Sequence, residues 1–173
     1  MKKIRLLSIS LLLGVLLFAL TACGGASGAV SGFVNAVKKG DEEKAKTFTT
    51  APVELSYDKE DEVAAYMWKK TVGSFSYKVE EETEKKNDEG EVTSVEIKIS
   101  YEKYSQTDLR LKMLGNTAIG DIGKDKTKQD VDAALKEMEK VKDSITVTVA
   151  VDEEGEWKLD TVSGAALLVV LVA

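Results

Sequence analysis

Val95-Glu96-Ile97-Lys98-Ile99-Ser100-Tyr101 is the stretch that decides the fold. Apolar and polar side chains alternate through it, which is the two-residue period of a strand with one buried face. Upstream, Phe75, Tyr77 and Val79 alternate in the same way, and Asn87-Asp88-Glu89-Gly90 is a turn signal between the two runs. Residues 75–101 therefore read as a β-hairpin. Val92 is out of phase with the later set, which predicts a bulge near Thr93-Ser94. Ile145, Val147, Val149 and Val151 alternate again, Asp152-Glu153-Glu154-Gly155 turns the chain, and Trp157, Leu159 and Thr161 return it as a second hairpin.

Before the first hairpin the period is 3.6. Val30, Phe33, Val34 and Val37 share one helix face, with Ser27 or Ser31 as the cap and Gly40 as the stop. Asp41-Glu42-Glu43 supplies an N-cap and an acidic first turn for a short helix that presents Ala45 and Phe48 and ends before Pro52. A third helix is expected from about Asp58 to Val72, with Val63, Tyr66, Met67 and Lys70 on one face. Between the hairpins, 105–122 fits a helix only loosely, because Gly115, Gly120 and Gly123 interrupt it. Thr127-Lys128-Gln129-Asp130 has the capping-box pattern. The helix expected behind it places Val131, Ala134, Leu135, Met138 and Val141 on one face, with Lys140 and Lys142 in its last turn. The uncharged tail Gly164–Ala173 is too short to span a bilayer. Its valines favour a fully buried strand, and a C-terminal helix packed on the core or the membrane surface is the alternative. The fold class is α+β: N-terminal helices packed on a curved antiparallel sheet, with a helical insertion between two hairpins.

Composition removes whole classes of chemistry. The 173 residues include one Cys and no His, with 24 basic against 30 acidic side chains. Without His there is no imidazole base, no His-based triad and no His metal ligand. One Cys excludes an internal disulfide framework and a Cys-rich metal site. The acidic balance argues against nucleic acid as a partner. At 43% hydrophobic and 31% charged residues the chain builds a core, and its length suits one domain.

The N-terminus carries a processing signal. Lys2, Lys3 and Arg5 precede the almost wholly apolar run Leu6–Leu20, and Leu20-Thr21-Ala22-Cys23 follows. That ending resembles the lipobox of bacterial lipoproteins. The resemblance implies a diacylglyceryl group on the Cys23 thiol and cleavage that leaves Cys23 first. Residues 1–22 are then the signal peptide, 23–28 the lipidated Cys with a short flexible tether, and 29–173 a single α+β domain. Two acyl chains hold a protein stably on a membrane where one does not. The basic flank stays on the cytoplasmic side, so the mature chain is extracytoplasmic. Removing three basic residues and no acid takes the net charge from −6 to −9.

Two further segments carry a resemblance. Phe33-Val34-Asn35-Ala36-Val37-Lys38-Lys39-Gly40-Asp41-Glu42-Glu43-Lys44-Ala45 resembles the opening of extracytoplasmic domains with the nuclear-transport-factor-like, cystatin-like cone fold, and Gly155-Glu156-Trp157-Lys158-Leu159 resembles their closing strand. Such domains are common in lipoproteins of Gram-positive bacteria. The resemblance implies a sheet wrapped round the first helix, with room for a pocket between them. The insertion 105–143 departs from the minimal pattern, and the fold itself fixes no activity.

The candidate chemistry is sparse. Glu80-Glu81-Glu82, with Glu84, Asp88, Glu89 and Glu91, is the densest charge run, yet it lacks the Asp-x-Asp-x-Asp-Gly spacing of a calcium loop and reads as a solvated, charge-blunted hairpin. Asp121-Ile122-Gly123-Lys124-Asp125 and Asp152-Glu153-Glu154-Gly155 read as turn or cap chemistry. Tyr66, Phe75, Tyr77, Tyr101 and Trp157 are the candidate pocket-lining residues, weighed against plain core packing. Lys69, Lys70 and Lys98 stand out in no way. No catalytic, cofactor-binding or metal-binding residue is expected. The reading is a membrane-anchored, non-enzymatic binding or interaction module, with a small-molecule or envelope-protein partner. The alternatives are a small-molecule hydrolase or isomerase using Asp, Glu and Tyr, and a structural or immunity-type partner of another envelope protein.

Overall fold

Helix α1 (Gly25–Lys38) buries Val30, Phe33, Val34 and Val37 as one stripe against the sheet. The computed structural model describes residues 25–55, 58–116 and 124–173. Gly25 to Gly28, expected in the tether, form the first turn of α1. Neither expected cap is used: Ser27 Oγ donates to Glu82 and Ser31 Oγ donates to the Gly28 carbonyl. The stop is as expected. Gly40 has φ 64°, and the N–H groups of Gly40 and Asp41 bond the carbonyls of Val37 and Ala36, which closes the last turn.

Asp41 caps α2 (Glu42–Lys46) by accepting from the Lys44 N–H. Helix α3 (Glu62–Lys70) starts later than expected because Asp61 is its cap, accepting from the Val63 and Ala64 N–H groups, while Asp58 accepts from Glu60. Its buried residue is Trp68, whose Nε1 donates to the carbonyls of Val37 and Lys38 at the end of α1. A 3₁₀ turn, Val72–Ser74, leads into the sheet.

Strands β1 (Ser76–Lys86), β2 (Val92–Lys103), β3 (Val141–Val151) and β4 (Trp157–Leu159) form one antiparallel sheet in chain order, so β2 pairs β3 and joins the two expected hairpins. Thr93 is the extra residue of the expected bulge. A second bulge at Glu80 shifts the register of β1, so that Glu82 and Glu84 stand opposite Ile97 and Val95. Both hairpin loops use one device. Asn87 Oδ1 accepts from the Glu89 and Glu91 N–H groups, and Asp152 Oδ1 accepts from those of Glu154 and Glu156. The loops close on Gly90 (φ 84°) and Gly155 (φ 82°), where a side chain would be strained.

The sheet edges are protected. Beside β4 runs the segment after α2, with Leu159 N–H on the Phe48 carbonyl and Thr50 N–H on the Leu159 carbonyl. The β1 edge carries lysines and glutamates, which discourage pairing with another chain. Val95, Ile97, Ile99, Tyr101, Val147 and Val149 face the helices, while the intervening residues leave the other face polar and solvated.

Helices α4 (Gln106–Asn116) and α5 (Lys124–Lys136) form the insertion between β2 and β3. The Ser105 hydroxyl accepts from the Asp108 N–H and caps α4. Thr127 lies inside α5, three residues after its first and not at the expected cap position, and α5 stops at Lys136, so Val141 and Lys142 belong to β3 and not to a last helical turn. Leu109, Val131, Ala134 and Leu135 make a second small core, packed by Tyr66 and Met67 of α3.

The tail departs from the strand expectation: it is helix α6 (Thr161–Val172). Asp160 caps it by accepting from the Ser163 N–H, and Ser163 Oγ in turn accepts from Thr148 N–H on β3. Gly164, Leu167 and Leu171, spaced at one turn each, face the core, and Val162 and Val169 are exposed at 78% and 61%. At its far end Lys103 Nζ donates to the Val170 carbonyl, placing a cation on the negative end of the helix.

Candidate functional site

The element order gives the domain two distinct ends. Both hairpin loops, 87–90 and 152–155, lie at one end of the sheet, because β2 pairs β3 from Ser94↔Ala150 to Lys103↔Val141. Helix α1 begins at that same end: Ser27 bonds Glu82, and Gly25 and Gly28 line a shallow depression of about 420 Å³ with Phe48 and Trp157. The chain therefore enters beside an acidic rim that includes Glu82, Asp88, Glu89, Asp152, Glu153 and Glu154. Cys23, the expected lipid attachment residue, lies outside the described residues, two positions before α1.

Within the rim the charge is organised around Asp152. Its Oδ2 is 2.5 Å from Lys158 Nζ. That ammonium and the Glu156 and Glu154 N–H groups hold the carboxyl down at about 2. Lys158 shares three carboxylates. Asp152 thus forms the turn and, with Glu154, is ion-paired to Lys158, while Glu82 accepts from Ser27. Among the described residues no group of three or more Cys, Asp or Glu converges as a metal site would require. The stretch 121–123 lies outside the described residues.

The five candidate aromatics do not share a pocket. Phe75 is buried and stacks on Tyr101 at 5.6 Å, with Tyr77 at 6.2 Å. Tyr77 and Tyr101 border an open groove of about 380 Å³ with Asp143, Glu102 and Lys142. Burial pushes both tyrosine hydroxyls up, and Asp143 adds to the effect at Tyr101. Lys142, 2.9 Å from Glu102, holds that carboxyl below its usual range. Trp157 is at the other end, in the α1 depression. Tyr66 belongs to the second core, where its hydroxyl donates to Asp132 Oδ2 at 2.7 Å.

A cleft that the sequence does not announce lies at the end opposite the chain entry. Its volume is about 450 Å³, and Lys70, Tyr104, Asp132, Leu135, Lys136 and Lys140 line it. Ser74 also borders it, just before β1 starts, while Tyr104 follows the end of β2 and Lys140 precedes β3. These residues come from α3, the start of the insertion and the end of α5. The length of β1 puts roughly 30–35 Å between this end and the hairpin loops. Lys70 Nζ is 2.8 Å from Asp132 Oδ1 and 5.1 Å from the Tyr66 ring centroid, and Lys140 Nζ is 5.5 Å from that of Tyr104. Hydrogen bonding to Asp132, and then to Tyr66, pushes the Lys70 ammonium up. The bonds from Lys70 and Tyr66 pull Asp132 down.

No protein-family model, curated protein or solved structure matches the chain. No helix among the described residues is long and apolar enough to cross a membrane.

Proposed function

We propose that the chain is a lipoprotein anchored through diacylglyceryl-Cys23 to the outer face of a bacterial cell membrane, Gram-positive by preference, whose α+β domain is a cystatin-like cone acting as a non-enzymatic binding or interaction module. The observation that carries this reading is Leu20-Thr21-Ala22-Cys23 behind a basic and then apolar leader, with the sole Cys of the chain at the modified position. The entry of α1 supports it, because the helix starts two residues later and leaves the domain beside the bilayer. The short link from Cys23 to α1 ties the acidic-rim end to the anchor and leaves the opposite end of the domain outward.

Two features of the groove weigh against the hydrolase or isomerase alternative. Glu102 is held ionised by Lys142, which suits it poorly to donate a proton, and the Tyr77 and Tyr101 hydroxyls are pushed toward their neutral forms, away from a role as base. Metabolic labelling with an alkyne fatty acid tests the anchor. The native chain is expected to take up label in the membrane fraction, and Cys23→Ser to take up none and accumulate as precursor. Labelling that persists in Cys23→Ser overturns the reading.

A further inference from the structure

The outward end carries an electrostatic anomaly. In a chain of net charge −6, three lysines line one cleft with a single carboxylate between them. That carboxylate is fully engaged: Asp132 takes Lys70 on Oδ1 and the Tyr66 hydroxyl on Oδ2. It cancels Lys70 and fixes the wall. Among the described residues neither Lys136 nor Lys140 has a carboxylate within ion-pair distance, and the nearby Glu102 is bonded to Lys142. Two ammonium groups with no ion-pair partner among the described residues therefore border a concave site, with Asp132 and Glu102 acting on them only at longer range, and the Tyr104 ring and Leu135 line it beside them.

We infer that this cleft is a binding site for a small organic phosphate, a phosphate monoester with a planar or apolar body. A phosphate monoester concentrates nearly two negative charges and three acceptor oxygens on one head group, which matches two ammonium donors lining one cleft. The Tyr104 ring and Leu135 suit the body of the ligand, and the cleft volume falls within the range of small-molecule sites. Lys140 already stands over Tyr104, so a phosphate drawing it inward leaves the ring face open for stacking. The inference deepens the binding-module reading and rests on it for its biological setting, while the binding itself depends on the cleft alone.

The test uses the full chain in detergent micelles and phenyl phosphate as the probe, read by amide chemical shifts and calorimetry. Saturable binding that moves the signals of Tyr104, Lys136 and Lys140 is expected, weakening as salt is raised. In Lys136→Gln/Lys140→Gln the affinity should fall at least tenfold, and Lys44→Gln, on the distant α2, should leave it unchanged. Benzenesulfonate, a monoanion of the same shape, should bind several-fold more weakly. Absence of saturation at about 10 mM probe, equal affinity in the double variant, or equal affinity for benzenesulfonate each overturns the proposal. Repeating the titration on Cys23→Ser separates the two readings, since a failed anchor leaves this binding in place.

Discussion

Gly164→Ala tests how the uncharged tail is held, and its sign is informative. In an exposed helix interior, Gly→Ala stabilises by about 1 kcal/mol. Here a Cβ at position 164 would stand 2.1 Å from Thr49 Oγ1, 3.0 Å from Ala51 Cβ and 3.1 Å from Thr49 Cβ. The first approach overlaps ordinary contact by more than about 1 Å. Thr49 cannot yield freely, because it is 5% exposed, its hydroxyl donates to the Leu159 carbonyl at 3.2 Å, and it accepts from Ala51 N–H at 3.0 Å. Overpacking of this kind costs about 1–3 kcal/mol, and each hydrogen bond lost about 1 more. After subtracting the helix-propensity gain, the net loss is about 2 kcal/mol, or a Tm lower by roughly 4–8 °C for a chain of this size. Urea and thermal unfolding followed by tryptophan fluorescence would measure it. Thr49→Ala in the Gly164→Ala background should return part of the loss, giving a coupling of about 0.5–3 kcal/mol. A Gly164→Ala chain that is more stable than native would refute the docking of α6 on the segment after α2.

The remaining expectations concern the rim and the core. Asp152 has a folded-state value near 2 against 3.8 for the free group, so its contribution is fully present above about pH 4 and is lost as pH falls through 2. Urea midpoints for Asp152→Asn should accordingly fall less between pH 4 and pH 2 than those of the native chain, and an equal fall would contradict the assignment. Ile97 is fully buried at the centre of β2, and Ile97→Ala should cost about 2–5 kcal/mol by chemical denaturation. A loss under about 1 kcal/mol would mean that the sheet does not pack on α1 as described.

The hairpins were legible because their side chains alternate and their loops begin with Asn or Asp and close on Gly, signals that need no tertiary context. The bulge at Thr93 showed as the phase slip of Val92. The tail misled because every residue from Gly164 to Ala173 is uncharged, so a period of 2 and a period of 3.6 fit it equally. The deciding signal lies just upstream, where Asp160 caps the N–H of Ser163. Val141 was ambiguous for a similar reason: it continues the face of α5 and also the apolar phase of β3. The cleft was illegible because Lys70, Tyr104, Lys136 and Lys140 come from separate elements, and no spacing along the chain records that the insertion folds back onto α3. Trp68 fell off the expected helix face because its role is to cover the last carbonyls of α1, a demand set by packing between helices.

The anchor is the centre of the account, and the intact mass of the chain extracted from membranes tests it most directly. The expected species begins at Cys23, lacks residues 1–22 and carries a diacylglyceryl group on that thiol. A membrane-extracted chain that retains its leader, or that ends elsewhere with Cys23 unmodified, would contradict it.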